Sequence, residues 1–177
     1  MSKVVLQMRS ETSIKTLTKM AMMATITFVG IYAVKVPVPN GYVHIGDCMI
    51  FLSVLLLGAK RGALAGGIGA AMADLLAGYM HWVFPTFIIK YIMAVIMGQF
   101  VEKIMPMMKW NWLIGAAVGG IVQIILYFAA DTVMFGMALG IADIPGNAIQ
   151  TVAGIILTGV MVGLFNKSGI MGRLKDI

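Results

Sequence analysis

Residues 41–90 read GYVHIGDCMIFLSVLLLGAKRGALAGGIGAAMADLLAGYMHWVFPTFIIK, and the reading of this run decides the fold. Two apolar stretches are joined by Lys60-Arg61, and a third begins after a polar, aromatic corner at Tyr79, His81 and Trp82. Gly62, Gly66, Ala70, Asp74 and Gly78 recur at intervals of four. On a helix that spacing lays them in one slowly drifting stripe of small side chains, broken by a single carboxylate. In a bilayer such a stripe is the usual means of close helix contact, because lipid gives no hydrophobic drive for association. An ionisable group on that face belongs inside the bundle.

Working outward, the chain has 177 residues, 60% of them hydrophobic and 11% charged, with a mean hydropathy of +0.97. These values exclude an ordinary soluble domain. A spanning helix takes about 20 apolar residues, so about five or six segments fit. The expectation is an all-α, polytopic membrane protein: a six-helix bundle over residues 14–167, with cytoplasmic tails at 1–13 and 168–177. The single cysteine, Cys48, excludes an intrachain disulfide and reads as a small buried apolar residue. The formal charge of +6 reports topology rather than a nucleic-acid partner. If the chain crosses after each apolar run, Lys3, Arg9, Lys15, Lys19, Lys60, Arg61, Lys103, Lys109, Lys167, Arg173 and Lys175 fall on one side, leaving Lys35 and Lys90. The positive-inside rule then puts both termini in the cytoplasm of a multi-pass protein of the cell membrane.

The first apolar run is too long for a signal-peptide core, so it stays as a membrane anchor, with a helix over residues 14–34. On it Ala21 and Thr25 make a small-xxx-small pair with Ala24 alongside, a flank that a helix can approach closely, whether inside the bundle or as a docking surface. Val36-Pro37-Val38-Pro39-Asn40-Gly41 is not helix; its prolines favour extended backbone and Asn-Gly favours a turn, giving a stiff outer loop. A short second helix covers residues 45–59, with Asp47 near its N-terminus, where the helix dipole favours a carboxylate. Lys60-Arg61-Gly62 makes a tight inner turn. Asp74 and Lys90 then lie about 7 to 8 Å in from the same outer corner on neighbouring helices, given about 1.5 Å of rise per residue. They form an internal ion pair, or face ligand, or both.

The fifth helix carries Gly115, Gly119, Gln123, Tyr127 and Asp131 at intervals of four, small at the inner end and polar at the outer. The sixth begins near Ile144-Pro145, capped by Asp143, with Asn147, Gln150 and Thr151 on one face. Buried amides and carboxylates in hydrocarbon cost several kcal/mol (about 2–7) unless paired. Four helices carry such groups in their outer halves, and together with Tyr42 and His44 of the outer loop they outline a polar pocket open to the outside. Its expected substrate-binding residues are Tyr42, His44, Asp74, Tyr79, Lys90, Gln123, Tyr127, Asp131, Asn147 and Gln150. The aromatic rings of Tyr42, Tyr79, Trp82, Phe84 and Tyr127 suit stacking on a flat heterocycle, or form an interfacial belt. His44 and His81, without an i, i+4 pair, give no metal site, and no cofactor is expected. The chain lacks G-x-x-x-x-G-K-[ST], H-E-x-x-H and G-x-S-x-G, so it is read as a binding protein without its own engine and not as an enzyme.

These residues resemble a known family. The small-residue flank of the first helix, the ordered loop after it, Gly41-Tyr42-Val43-His44-Ile45-Gly46-Asp47, Leu55-Leu56-Leu57-Gly58, Gly62-Ala63-Leu64-Ala65-Gly66-Gly67 and Ala73-Asp74-Leu75-Leu76-Ala77-Gly78-Tyr79 resemble the substrate-binding S-component of an energy-coupling factor (ECF) transporter. The likeness is greatest to the branch linked with hydroxymethylpyrimidine and vitamin B6 uptake, whose sequences are often labelled riboflavin-type, and it covers about residues 14–165. It implies a six-helix subunit that captures a vitamin from outside and joins a transmembrane T-component and two cytoplasmic ATPases, delivering substrate by toppling in the membrane. The family's Ala-x-x-x-Ala docking motif falls on Ala21 and Thr25, with Ala24 beside them; Thr25 departs from the second alanine. Riboflavin or another vitamin is the alternative substrate, and a membrane scaffold with a purely structural polar network is the alternative of another class. With Asp74 paired to Lys90, the pocket is expected to favour a neutral or weakly cationic ring over a phosphorylated one.

Overall fold

A computed structural model describes residues 3–38 and 41–168. Within them the apolar runs fold as six helices: α1 (Lys3–Ala33), α2 (Asp47–Leu57), α3 (Ala59–Leu76), α4 (Val83–Gln99), α5 (Asn111–Phe135) and α6 (Met137–Ser168). A 3-10 turn at Met80–Trp82 leads into α4, and a π-helical turn at Phe100–Ile104 continues it. Consecutive helices from α3 to α6 pack side by side, α2 closes the group by packing on both α3 and α6, and α1 lies against α3 and α2. The described residues are thus all-α apart from one hairpin, and the shortest of the six α-helices lies at the centre of the bundle. Ile50 and Phe51 of α2 are fully buried, joined in the core by Ala63, Met93, Met97 and Ala116.

The stripe of small residues explains how α2 is enclosed. A Cβ added to Gly62 would come 2.5 Å from the Ser53 carbonyl oxygen, and one on Gly66 would strike the Ile50 side chain at 2.7 Å. Ser53 also donates its hydroxyl to the Gly62 carbonyl at 2.8 Å, so the two backbones are nearly in contact. Gly119 of α5 repeats this arrangement against α4, its missing Cβ lying 2.6 Å from the Met93 carbonyl. Tight packing on the small faces of α3 and α5 is as the sequence implied.

Among the described residues, four helical stretches are long and apolar enough to cross a membrane: Ile14–Ala33, Met80–Ile104, Asn111–Phe135 and Met137–Ser168. With 11 residues, α2 extends about 16 Å, roughly half a hydrocarbon core. α3 has 18 residues but carries Lys60, Arg61 and Asp74. Large apolar side chains such as Leu17, Ile121, Val133 and Ile149 point away from the bundle, as lipid-facing positions do.

Several local expectations are corrected. The outer loop is an antiparallel hairpin, β1 (Lys35–Val38) with β2 (Gly41–His44), pairing Lys35 with His44 and Pro37 with Tyr42. A two-stranded ribbon leaves each strand one free edge, so a proline fits in β1. The turn assigned to Asn40-Gly41 involves residues 39 and 40, which lie outside the described residues, as do residues 169–177 of the expected C-terminal tail. Lys60, Arg61 and Gly62 sit inside α3; the break is at Gly58, whose φ of 84° is open to glycine alone at little strain. α1 extends N-terminally to Lys3. α6 starts at Met137, so Pro145 lies within the helix and Asp143 is no cap.

Candidate functional site

At the hairpin end the helices surround an open-mouthed cavity whose free space, solvent at the mouth included, is about 530 Å³. β2 contributes Tyr42, Val43 and His44; the α3–α4 corner contributes Asp74, Tyr79, Trp82 and Thr86; α5 contributes Tyr127 and Asp131; α6 contributes Asp143, Asn147 and Gln150. The i, i+4 spacing of Tyr127 and Asp131 keeps both on the inward face of α5, one turn apart. Pro145 interrupts the hydrogen-bonding of α6 beside this cavity, where irregular backbone is tolerated, and the Asn147 amide donates to the Asp143 carbonyl at 3.2 Å.

The floor is a closed polar network. Lys90 Nζ lies 2.6 Å from Asp47 Oδ1, both side chains being fully buried, and donates to Gln123 Oε1 at 2.8 Å. Gln123 Nε2 donates to Asp47 Oδ2 and Thr151 Oγ1, each at 3.1 Å. Gln150 Nε2 reaches Asp47 Oδ2 at 3.3 Å, while its Oε1 accepts the His44 backbone N–H at 3.1 Å. Four helices and the hairpin are tied together at one carboxylate. His44 Nδ1 accepts the Gly46 N–H at 3.2 Å, which leaves the ring proton on Nε2. Burial, then the Lys90 charge, push the His44 imidazole down to about 3, so it stays neutral.

The wall is different. Tyr42 donates its hydroxyl to Asp74 Oδ1 at 2.7 Å, and burial together with the Asp74 charge holds that phenol well above its usual range, so it remains a donor. Tyr127 donates to Thr86 Oγ1 at 3.3 Å. Tyr42 and Tyr79 have ring centroids 5.3 Å apart, and Trp82 and Tyr127 5.5 Å, so two aromatic pairs flank the space. Asp131 Oδ1 and Asp143 Oδ1 are buried without a hydrogen-bond partner in the protein; Asp74 Oδ2 has none of good geometry either, though the Thr86 hydroxyl lies beside that carboxylate.

Eight of the ten residues expected from the sequence line this cavity; Lys90 and Gln123 lie beneath it in the floor. The expected Asp74–Lys90 ion pair is not formed. Depth along a helix was legible, but the direction around it was not: Lys90 points inward to α2, and Asp74 turns to the hairpin. Asp47 stands in the first turn of α2, as expected, but makes no side-chain cap bond there and balances the buried lysine. That role was missed, although a single intramembrane lysine demands a carboxylate and Asp47 was one of four aspartates toward the outer end. Thr86, Val43 and Asp143 were also missed as lining. Phe84 is 72% exposed and takes no part. Ala21 and Thr25 are exposed on α1, the Thr25 hydroxyl bonded to the Ala21 carbonyl, whereas Ala24 is half-buried where α1 meets Gly69.

Comparison with known proteins gives a consistent picture. The family profile for the ECF-type riboflavin transporter S component matches residues 11–167. The chain is 30% identical over 169 residues to the thiamine precursor transporter HmpT of Lactococcus lactis subsp. cremoris (strain MG1363), covering 92% of this chain and 95% of that one. It is 36% identical over 131 residues to an uncharacterized protein in the gap 3′ region of Pyrococcus woesei, covering 71% of this chain and 84% of that one.

Proposed function

The chain belongs to the family of ECF-type riboflavin transporter S components, and from that premise we propose that it captures a small heterocyclic vitamin or precursor, of the hydroxymethylpyrimidine or vitamin B6 type, at the hairpin end. A vitamin S-component is a transport protein of the membrane, not an enzyme. The hairpin end faces outside, both termini are cytoplasmic and the membrane is the cell membrane, in keeping with the distribution of lysine and arginine. Substrate is then handed on by docking to a T-component that works with two ATPase subunits, with the exposed Ala21 and Thr25 as the contact face.

The observation that carries this reading is the cavity wall, whose buried carboxylate oxygens lack partners inside the protein. A purely structural network, as a scaffold would have, satisfies its members, as the floor does. The likeness to a thiamine precursor transporter supports a pyrimidine-sized ligand.

The test uses Ala21→Trp and the unaltered protein, each purified and also assayed in cells with its transport partners. Both are expected to bind hydroxymethylpyrimidine or a B6 vitamer with submicromolar affinity, while Ala21→Trp abolishes uptake and recovery of the T-component. Absence of submicromolar binding to these compounds in the unaltered protein defeats the substrate assignment. Loss of binding along with uptake in Ala21→Trp defeats the docking face.

A further inference from the structure

The charges around the cavity do not balance. Lys90 is the one lysine or arginine among the buried described residues, and it is spent on Asp47. Among the described residues no lysine or arginine lines the cavity, and His44 is neutral. His81 is exposed at the corner, near Asp74. The lining therefore contains three carboxyl groups, on α3, α5 and α6, without a cation paired to any of them. Asp131 is 1% exposed, Asp74 and Asp143 7% each, and each has one oxygen out of contact with water and without a well-placed donor. Asp131 also feels Asp143 as a neighbouring like charge.

We propose that Asp131 and Asp143, with Asp74, form a carboxylate subsite that selects ligands presenting paired N–H donors or a protonated ring nitrogen, that is, amino-substituted nitrogen heterocycles. This rests on the ligand-binding reading above and narrows it. Like-charged carboxylates held away from water need either a proton or a counter-charge, and a ligand can supply either. A carboxylate accepts two parallel N–H bonds in one plane, and the amino group and adjacent ring N–H of a protonated aminopyrimidine present that pair. A ring whose edge carries carbonyl oxygens sets acceptor against acceptor and is rejected. The flanking aromatic pairs are indifferent to this distinction, since stacking requires only a flat ring. Selection is thus assigned to the acids.

The experiment compares amino-substituted hydroxymethylpyrimidine with its oxo analogue, in which a carbonyl replaces the amino group, by equilibrium titration of the purified protein. The unaltered protein is expected to prefer the amino compound by about ten- to a hundredfold, the ratio a charge-assisted hydrogen bond provides. In Asp131→Asn and Asp143→Asn the preference is expected to shrink toward unity, with thermal stability retained. Equal binding of both analogues by the unaltered protein overturns the proposal, and needs no variant to fold. Full preference retained in both variants overturns it also, placing selection elsewhere. If neither compound binds, the hydroxymethylpyrimidine assignment and the carboxylate subsite fail together; if both bind without preference, that assignment stands and only the carboxylate subsite fails.

Discussion

The floor and the wall of the cavity are built from the same kinds of side chain, yet their polar atoms meet opposite fates. In the floor, Asp47, Lys90, Gln123, Thr151 and Gln150 share hydrogen bonds and one ion pair. In the wall, Asp74, Asp131 and Asp143 each keep an unpartnered oxygen. Removing polar groups from water is tolerated where the partners are supplied within the fold. The difference teaches that burial alone does not mark a binding group; burial without a partner, beside open space, does. The floor holds the helices in register, and the wall awaits something from outside.

The largest effect is expected where the floor is broken. Lys90→Met leaves the Asp47 carboxylate buried and uncompensated, a loss of about 3–5 kcal/mol. Thermal unfolding in detergent should show a large drop for Lys90→Met, with recovery in the double variant Lys90→Met/Asp47→Leu. A Lys90→Met protein as stable as the original would erase the distinction between floor and wall.

A smaller effect concerns His44, which joins the two. Its imidazole is lowered from the ordinary 6.5 to about 3 in the folded protein, so the unfolded chain binds a proton that the folded one refuses. Its contribution is fully present above about pH 6.5 and is lost as pH falls toward about 3, with a slope of at most about 1.4 kcal/mol per unit. Thermal stability measured between pH 7 and pH 5 should fall more steeply for the original than for His44→Gln. Parallel profiles would mean that His44 accepts its proton while folded.

Much of this was legible in the chain because it is periodic. The intervals of four along Gly62, Gly66 and Ala70, and along Gly115, Gly119, Gln123, Tyr127 and Asp131, report the faces along which α3 and α5 pack and open. The partner of Lys90 was not, because rise per residue gives depth while the pairing depends on rotation about the helix and on the position of α2. The hairpin was hidden by its prolines, which argue against helix without revealing strand pairing. Pro145 misled in the other direction: a proline is commonest in a first turn, but here α6 continues through it beside the cavity.

The most direct test of the contrast between floor and wall is Asp74→Asn, measured for stability and for affinity on one preparation. The asparagine carbonyl can still accept the Tyr42 hydroxyl, so the hairpin contact survives while the charge and the free acceptor are lost. The expected result is a melting temperature equal to or above that of the original protein, with about tenfold weaker binding of amino-substituted hydroxymethylpyrimidine. A lower melting temperature with unchanged affinity would show that Asp74 belongs to the structural network, and would contradict the account.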